Sequence, residues 1–339
     1  MKRQTSREHR CTLPWPVART LIALAVAILG VLGDQGHCYA QSGYWRAHYV
    51  LPKELRKTGV VFAGERIPLN REGVATRVVE QMNYLLMDRR ASMMEWFDRM
   101  AQYSEPVRRV LAEEKIPSDL IYLSVLIGDF SPGTKTSSRG VGWWALAPTE
   151  TKGGASDAQW VSTNDWDDRR DPEISTRIAC SMLHRLHSKK ETGNWLLTVC
   201  AFVDGAEKIE ASVKKAPAFT FWDIVLPPRS EVLVPRLVAL KIIDSHRDFY
   251  GVDVPRLQPV RSDSLGRLKL EKELPLHVVA KWCKVTPRAL WELNPGVEPG
   301  TGAIPKPDKR SPSGFPLRVP KGREAQVRDL LIKDGYLKP

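Results

Sequence analysis

The stretch SVLIGDFSPGTKTSSRGVGWWALAP, Ser124–Pro148, has the outline of an active-site segment: an apolar helix, a turn at Ser131-Pro132-Gly133 and a tryptophan pair. A carboxyl group at the end of such a helix could give up and recover a proton, and an apolar pocket would keep it protonated near neutrality. The stretch offers one acid for that role, Asp129, and a second, Glu150, follows just beyond it. A dense charge cluster, Asp168-Arg169-Arg170-Asp171, is the other candidate. It reads as catalytic charge or as a structural network, since Arg–carboxylate forks lock loops against helices. No Cys/His cluster has zinc spacing, and neither metal nor cofactor is implied.

These residues must be held by helices. From about Thr76 to Ala112, apolar residues recur at helical spacing (Val78, Val79, Met82, Leu85, Leu86, then Met93, Met94, Trp96, Phe97, Met100), which predicts two or three helices. Ser118 is the expected N-cap of a buried central helix, IYLSVLIGDF, which is apolar almost throughout. DDRRDPEISTRIACSMLHRLHS begins another helix with Pro172 in its first turn. NWLLTVCAFVDG is a further one, capped by Asn194 and stopped by Gly205, and EVLVPRLVALKIIDS follows. Strand signals are scarce before residue 250, so this part is mainly helical.

The last segment has a different pattern. GRLKLEK alternates like a strand, LPLHVVAKWC and TPRALWELNP are two short helices, and FPLRVPK is a closing strand. The order is βααβ, with an irregular Pro/Gly/Lys-rich insertion at 296–314 and with Trp282 and Trp291 at core-like spacing.

The N-terminus reads as a targeting segment. Lys2, Arg3, Arg7 and Arg10 precede a 14-residue apolar run, Thr20–Gly33, and HCYA supplies small residues for cleavage after Ala40. The run is short against the roughly 20 apolar residues of a membrane span, although an uncleaved anchor is the alternative. Loss of residues 1–40 removes five Lys/Arg and two acids, lowering the net charge from +12 to +9. An exported basic protein suits an anionic partner such as cell-wall polymer or a membrane surface, and export argues against nucleic acid. Three cysteines remain, Cys180, Cys200 and Cys283. Export permits a Cys180–Cys200 disulfide across a helix hairpin, and buried free thiols are the other reading.

Together these segments resemble the lysozyme-like lytic transglycosylases of bacterial cell walls, especially the membrane-bound D type with LysM modules. VFAGERIPLN and LAEEKIPSDLIYLSVL resemble that family's lead-in, and GVGWWALAP resembles its AAGLWQFIP. DDRRDPEISTRIA matches its D-x-R-R-D…S-T…A, and NWLLTVCAFVDGAE resembles DWLLALAAYNSGEG. VLPPRSEVLVPRLVAL resembles PLPRETKIYVPKMLAL, and the tail resembles a divergent LysM, a module that binds N-acetylglucosamine polymers. The resemblance runs from about Phe62 to Leu257 and more weakly to the C-terminus, so the chain divides into the signal peptide at 1–40, an extended segment at 41–75 and a lysozyme-like helical domain at 76–255. A linker at 256–266 and a LysM-like module at 267–339 complete it.

In that family one glutamate, in V-E-S-A-F-N-P at the end of the buried helix, protonates the glycosidic oxygen. It then assists the sugar's own 6-hydroxyl in closing an anhydro ring. Matching Phe130 and Pro132 to the family pattern puts Ile127 at the glutamate and Gly128 at the serine. The family's Gln falls on Ala145, its Tyr and Asn on Phe202 and Val203, and its Glu and Tyr of the PRET…YVP segment on Arg229 and Leu233. The resemblance therefore implies a degenerate cleft in which no catalytic residue is expected. Asp129 lies about 200° around a helix from Ile127 and would point away; it and Glu150 are the fallback acids. Trp143 and Trp144 are candidates to stack on sugar rings, one facing the cleft and the other in the core. Three readings follow: an exported, non-catalytic protein that binds peptidoglycan strands or scaffolds at the wall; an active transglycosylase with a displaced acid; and a module for another envelope protein without sugar binding.

Overall fold

The computed structural model describes residues 49–137, 140–147, 161–216, 220–253 and 258–338. The targeting segment and Glu150 lie outside the described residues.

The first elements are a short helix α1 (Lys53–Thr58) and a two-stranded hairpin, β1 (Val60–Phe62) and β2 (Glu65–Ile67). The sequence had marked this region only as extended. Helix α2 (Glu72–Asn83) buries Val74, Val78 and Met82, one residue per turn. A π-helical turn, Tyr84–Asp88, leads into α3 (Arg90–Glu113), whose stripe from Met93 and Trp96 to Val110 and Leu111 lies in the core.

Helix α4 (Ile121–Gly128) is buried on nearly every side, as its unbroken apolar run requires. Its expected cap is corrected: Ser118 sits in a 3-10 turn and makes no capping bond. Asp119 is the working residue there, accepting from the Ala63 amide at 2.8 Å and from Lys241 Nζ at 2.7 Å, which ties the hairpin to the helices.

Helix α5 (Pro172–His187) starts as its sequence dictates, with Asp171 accepting from the Glu173 and Ile174 amides. Helix α6 (Trp195–Asp204) is capped by Asn194 and ended by Gly205. Helix α7 (Ala206–Lys215), which the apolar spacing did not reveal, buries only Ile209. Helix α8 (Pro228–Ser245) runs through Pro235 and supplies Val234, Leu237, Val238 and Ile242 to the same core. No helix among the described residues is long and apolar enough to cross a membrane.

The tail pairs β3 (Ser262–Leu268) antiparallel with β6 (Phe315–Pro320), with a register shift between Ser264 and Arg267. Between them lie β4 (Leu274–Pro275), α9 (Leu276–Cys283), α10 (Pro287–Leu293) and β5 (Ala303–Ile304). The βααβ order is present with three additions. The strand begins at Ser262, inside the stretch read as linker; β5, within the irregular region, pairs with β4 at the start of the segment read as the first short helix; and a helix α11 (Glu324–Lys333) closes the chain. The tail has its own core, built on Leu268, Val279, Leu290, Phe315, Leu317 and Val327. Val161 and Trp166, from the segment before α5, also belong to that core.

Candidate functional site

The end of α4 rests on the tryptophan loop. Ser124 donates its hydroxyl to the Trp143 carbonyl at 2.7 Å. One turn later, a Cβ on Gly128 would stand 2.0 Å from that same carbonyl oxygen, so only glycine fits. The side chain aligned with the family's serine therefore has no space here. Gly142 (φ +75°) allows an equally close approach on the loop's other side, where a Cβ would meet the Arg169 carbonyl at 2.0 Å. The loop is thus wedged between α4 and the charge cluster.

Ile127 is half-buried and packs against the helical core, as do Phe202 and Val203. Leu233 is buried, Ala145 holds a left-handed turn (φ +46°), and Arg229 is exposed. The Phe202 ring meets Trp144 edge-on at 6.4 Å. Two acids in these segments have partners of their own. Asp129 ends α4 in a left-handed conformation (φ +51°), which turns its carboxylate toward α3; there it accepts from Trp96 Nε1 at 3.0 Å, and Arg99 takes its carbonyl at 2.8 Å. Asp204 accepts from Ser230 Oγ at 2.5 Å.

The tryptophan pair is placed differently from expectation. Neither ring opens to solvent: Trp143 is 2% and Trp144 1% exposed. Their indole N–H groups are used internally, by the Arg170 carbonyl at 2.6 Å and by Thr176 Oγ1 at 2.9 Å. A buried indole needs such a partner, and helix α5 with the turn before it provides both. Neither ring is a free platform for a sugar.

The charge cluster is buried and its partners come from both halves of the chain. Asp168 accepts from Trp166 Nε1 at 2.6 Å, from the Val161 amide at 2.8 Å and from Arg267 of β3 at 3.3 Å. Burial raises its pKa above the ordinary carboxylate value, and the Trp166 and Arg267 contacts oppose that rise. Arg169 forks onto Asp167 at 2.7 Å, and Arg170 reaches Glu298 at 3.2 Å while its Nε finds no hydrogen-bond partner among the described residues. Asp171 is gripped by Arg318 of β6. Burial alone would lower the Arg318 pKa; Asp171 and Glu173 overcome this and hold it above its ordinary value. Backbone bonds complete the join, from the Asp167 amide to the Gly296 carbonyl and from the Glu298 amide to the Asp165 carbonyl. The distant members of this network, Arg267, Glu298 and Arg318, carry no local signal in the sequence. Trp166, two residues before the cluster, is the one member that its spacing could have suggested.

The three cysteines are free and buried. Burial pushes the Cys180 and Cys200 thiols up to about 12. Among the described residues no group of three or more His, Cys, Asp or Glu side chains could hold a metal ion.

Residues 128–225 match the family model described as "Transglycosylase SLT domain". The chain is similar to two curated proteins called "Membrane-bound lytic murein transglycosylase D", from Escherichia coli strain K12 and from Escherichia coli O6:H1 strain CFT073. Each is 27% identical over 223 residues, 65% of this chain and 46% of the relative. The chain thus spans about half the length of the curated relatives it matches.

Proposed function

We propose, from the match of residues 128–225 to the transglycosylase SLT domain model and the similarity to lytic murein transglycosylases, that this chain is a peptidoglycan-binding or scaffolding protein that does not cleave glycan. The observation that carries the reading is at the end of α4. The position aligned with the family's glutamate is Ile127, an apolar side chain packed on the core. A single-acid mechanism needs one carboxyl poised to protonate the glycosidic oxygen, and an isoleucine has no proton to give. The nearest substitute in sequence, Asp129, is turned toward α3 and bound to the Trp96 indole. The positions aligned with the family's other polar groups, Ala145, Phe202, Val203 and Leu233, are apolar as well.

The remaining elements of the reading are these. The protein is exported to the bacterial envelope after loss of residues 1–40, and its basic mature chain favours the anionic wall. The tail is a LysM-like module that adds weak glycan affinity. The Asp168–Asp171 cluster is structural, because its charges are answered within the protein.

Incubation of the purified mature protein with cell-wall sacculi tests the proposal. Pelleting with the sacculi, without release of anhydro-muropeptides, is expected. Release that disappears in Asp129→Asn or Glu150→Gln would establish an active enzyme with a displaced acid. Failure to pellet would favour a module that recognises another envelope protein.

A further inference from the structure

The positive charge of the protein is unevenly placed. Residues 258–339 hold 16 Lys/Arg against nine Asp/Glu, a net +7. Of the +9 on residues 41–339, only +2 is left for residues 41–257. Local excesses of this kind shape the field that a charged partner meets. The stretch between β5 and β6, part of the Pro/Gly/Lys-rich insertion, has no role in the wall-binding reading, and it holds three of the cations, Lys306, Lys309 and Arg310.

This loop is fixed against the end of β3. Arg267 Nη1 donates to the Gly314 carbonyl at 2.8 Å, and Ser311 Oγ donates to the same carbonyl at 2.7 Å. Gly314 lies so close to the strand that a Cβ on it would stand 3.1 Å from the Lys269 amide nitrogen. Lys269 therefore shares one corner of the tail with Lys309 and Arg310, and Lys306 lies in the same loop. All four side chains are exposed, and among the described residues none has an ion-pair or hydrogen-bond partner. The flanking acids do not cancel them. Asp308 accepts from the Arg310 and Ser311 amides at 2.9 and 2.8 Å, which shapes the turn. Glu271 is paired with Lys338 at 3.5 Å. Counting Asp308 and the exposed Glu273 in full, the corner keeps a charge of +2.

We infer that this corner of the tail is a docking surface for the anionic phosphate head groups of a lipid bilayer. Three of the four cations are lysines, point charges without the fork that grips one phosphate or carboxylate bidentately. They suit a dense field of phosphates in a fluid layer, whose head groups gather beneath them, and such a surface attracts clustered Lys/Arg additively. The loop from Pro305 to Gly314 carries no aromatic ring on which a sugar or a base could stack. Pro305, Pro307 and Pro312 stiffen it, so less ordering is needed on contact. The inference needs neither the α4 cleft nor glycan binding.

Cosedimentation of the protein, residues 41–339, with lipid vesicles is the test. It should pellet with vesicles containing phosphatidylglycerol and stay in solution with phosphatidylcholine alone. Raising the salt from about 0.1 M to about 1 M, which shortens the screening length from about 10 Å to about 3 Å, should release it. The combined variant Lys269→Gln, Lys306→Gln, Lys309→Gln and Arg310→Gln should partition about fivefold less for each cation removed, with the melting temperature unchanged. A control, Lys190→Gln, Lys208→Gln, Lys214→Gln and Lys215→Gln, has the same net charge and should pellet as the unmodified protein does. Equal loss in both variants would mean that total charge, and not this corner, attracts the bilayer, and overturns the site. Failure of the unmodified protein to pellet with phosphatidylglycerol, or equal pelleting with phosphatidylcholine, overturns it too. Sacculi separate the two proposals. The tail variant should still pellet with sacculi; if it loses them and keeps the vesicles, the corner belongs to the wall and the lipid surface is refuted. Loss of sacculus pelleting by the unmodified protein, with vesicle binding intact, removes the wall-binding reading and upholds this one.

Discussion

Arg318 on β6 grips Asp171, the residue that caps α5, across 147 positions of chain. Asp171 is fully buried and serves both contacts, so one carboxylate starts a helix and fastens the tail to it. Removing the guanidinium would leave that carboxylate without its counter-charge. Arg318→Ala should therefore cost about 3–5 kcal/mol, read as a clear fall in melting temperature. Asp171→Ala should cost more, by about 1 kcal/mol for the lost cap. An unchanged melting temperature in either variant would refute a structural role for the cluster.

Trp166 makes the same join through apolar contact. Its ring is fully buried, lies 5.3 Å from Phe315 and touches Gly296 so closely that a Cβ there would meet the indole at 2.6 Å. Trp166→Ala should destabilise by about 3–5 kcal/mol. Deleting residues 258–339 uncovers this ring and should shift its fluorescence to longer wavelength. Loss of sacculus binding in that truncation would accordingly mix a lost module with a damaged helical domain, so point variants are the better probe.

At the end of α4, restoring the family's residues should fail for physical reasons. Gly128→Ser places a side chain against the Trp143 carbonyl and should cost about 1–3 kcal/mol or more through overpacking. Ile127→Glu puts a carboxyl against the apolar core and should cost roughly 1–3 kcal/mol, with no gain in anhydro-muropeptide release. Activity appearing in Ile127→Glu would show that the surrounding cleft is still competent.

Asp223 predicts an acid-sensitive contribution to stability. The Arg71 guanidinium, helped by Thr220, holds its carboxyl down to about 2, against about 3.9 in the unfolded chain. Between those values the folded protein binds fewer protons than the unfolded one. The contribution is therefore complete above about pH 4 and is lost as the pH falls toward 2. The melting-temperature difference between the wild type and Asp223→Asn should be constant from pH 5 to 7 and vanish near pH 2.

The thiols should be inert while the protein is folded. With Cys11 and Cys38 changed to serine, a disulfide-exchange reagent at pH 8 should detect none of Cys180, Cys200 and Cys283. Cys180 and Cys200, with thiols pushed up to about 12, are about 0.01% thiolate at that pH, and burial raises the Cys283 thiol as well. All three should react in denaturant. Fewer than three would reveal a disulfide.

What the sequence determined by itself was the succession of helices and the mainly helical class. Apolar spacing along α2, α3 and α8, the unbroken apolar run of α4, and the caps Asp171 and Asn194 are all local signals. Helix α7 was not legible because one buried residue, Ile209, is too little periodicity to register. The tertiary structure decided where the charges and tryptophans went. Asp168 and Asp171 stand next to two arginines in sequence, yet their main cationic partners are Arg267 and Arg318, brought in by the tail. Trp143 and Trp144 became core residues because helix α5 and the turn before it supplied acceptors for both indoles. Such pairings depend on folding distant segments onto one another, and spacing along the chain carries no record of them.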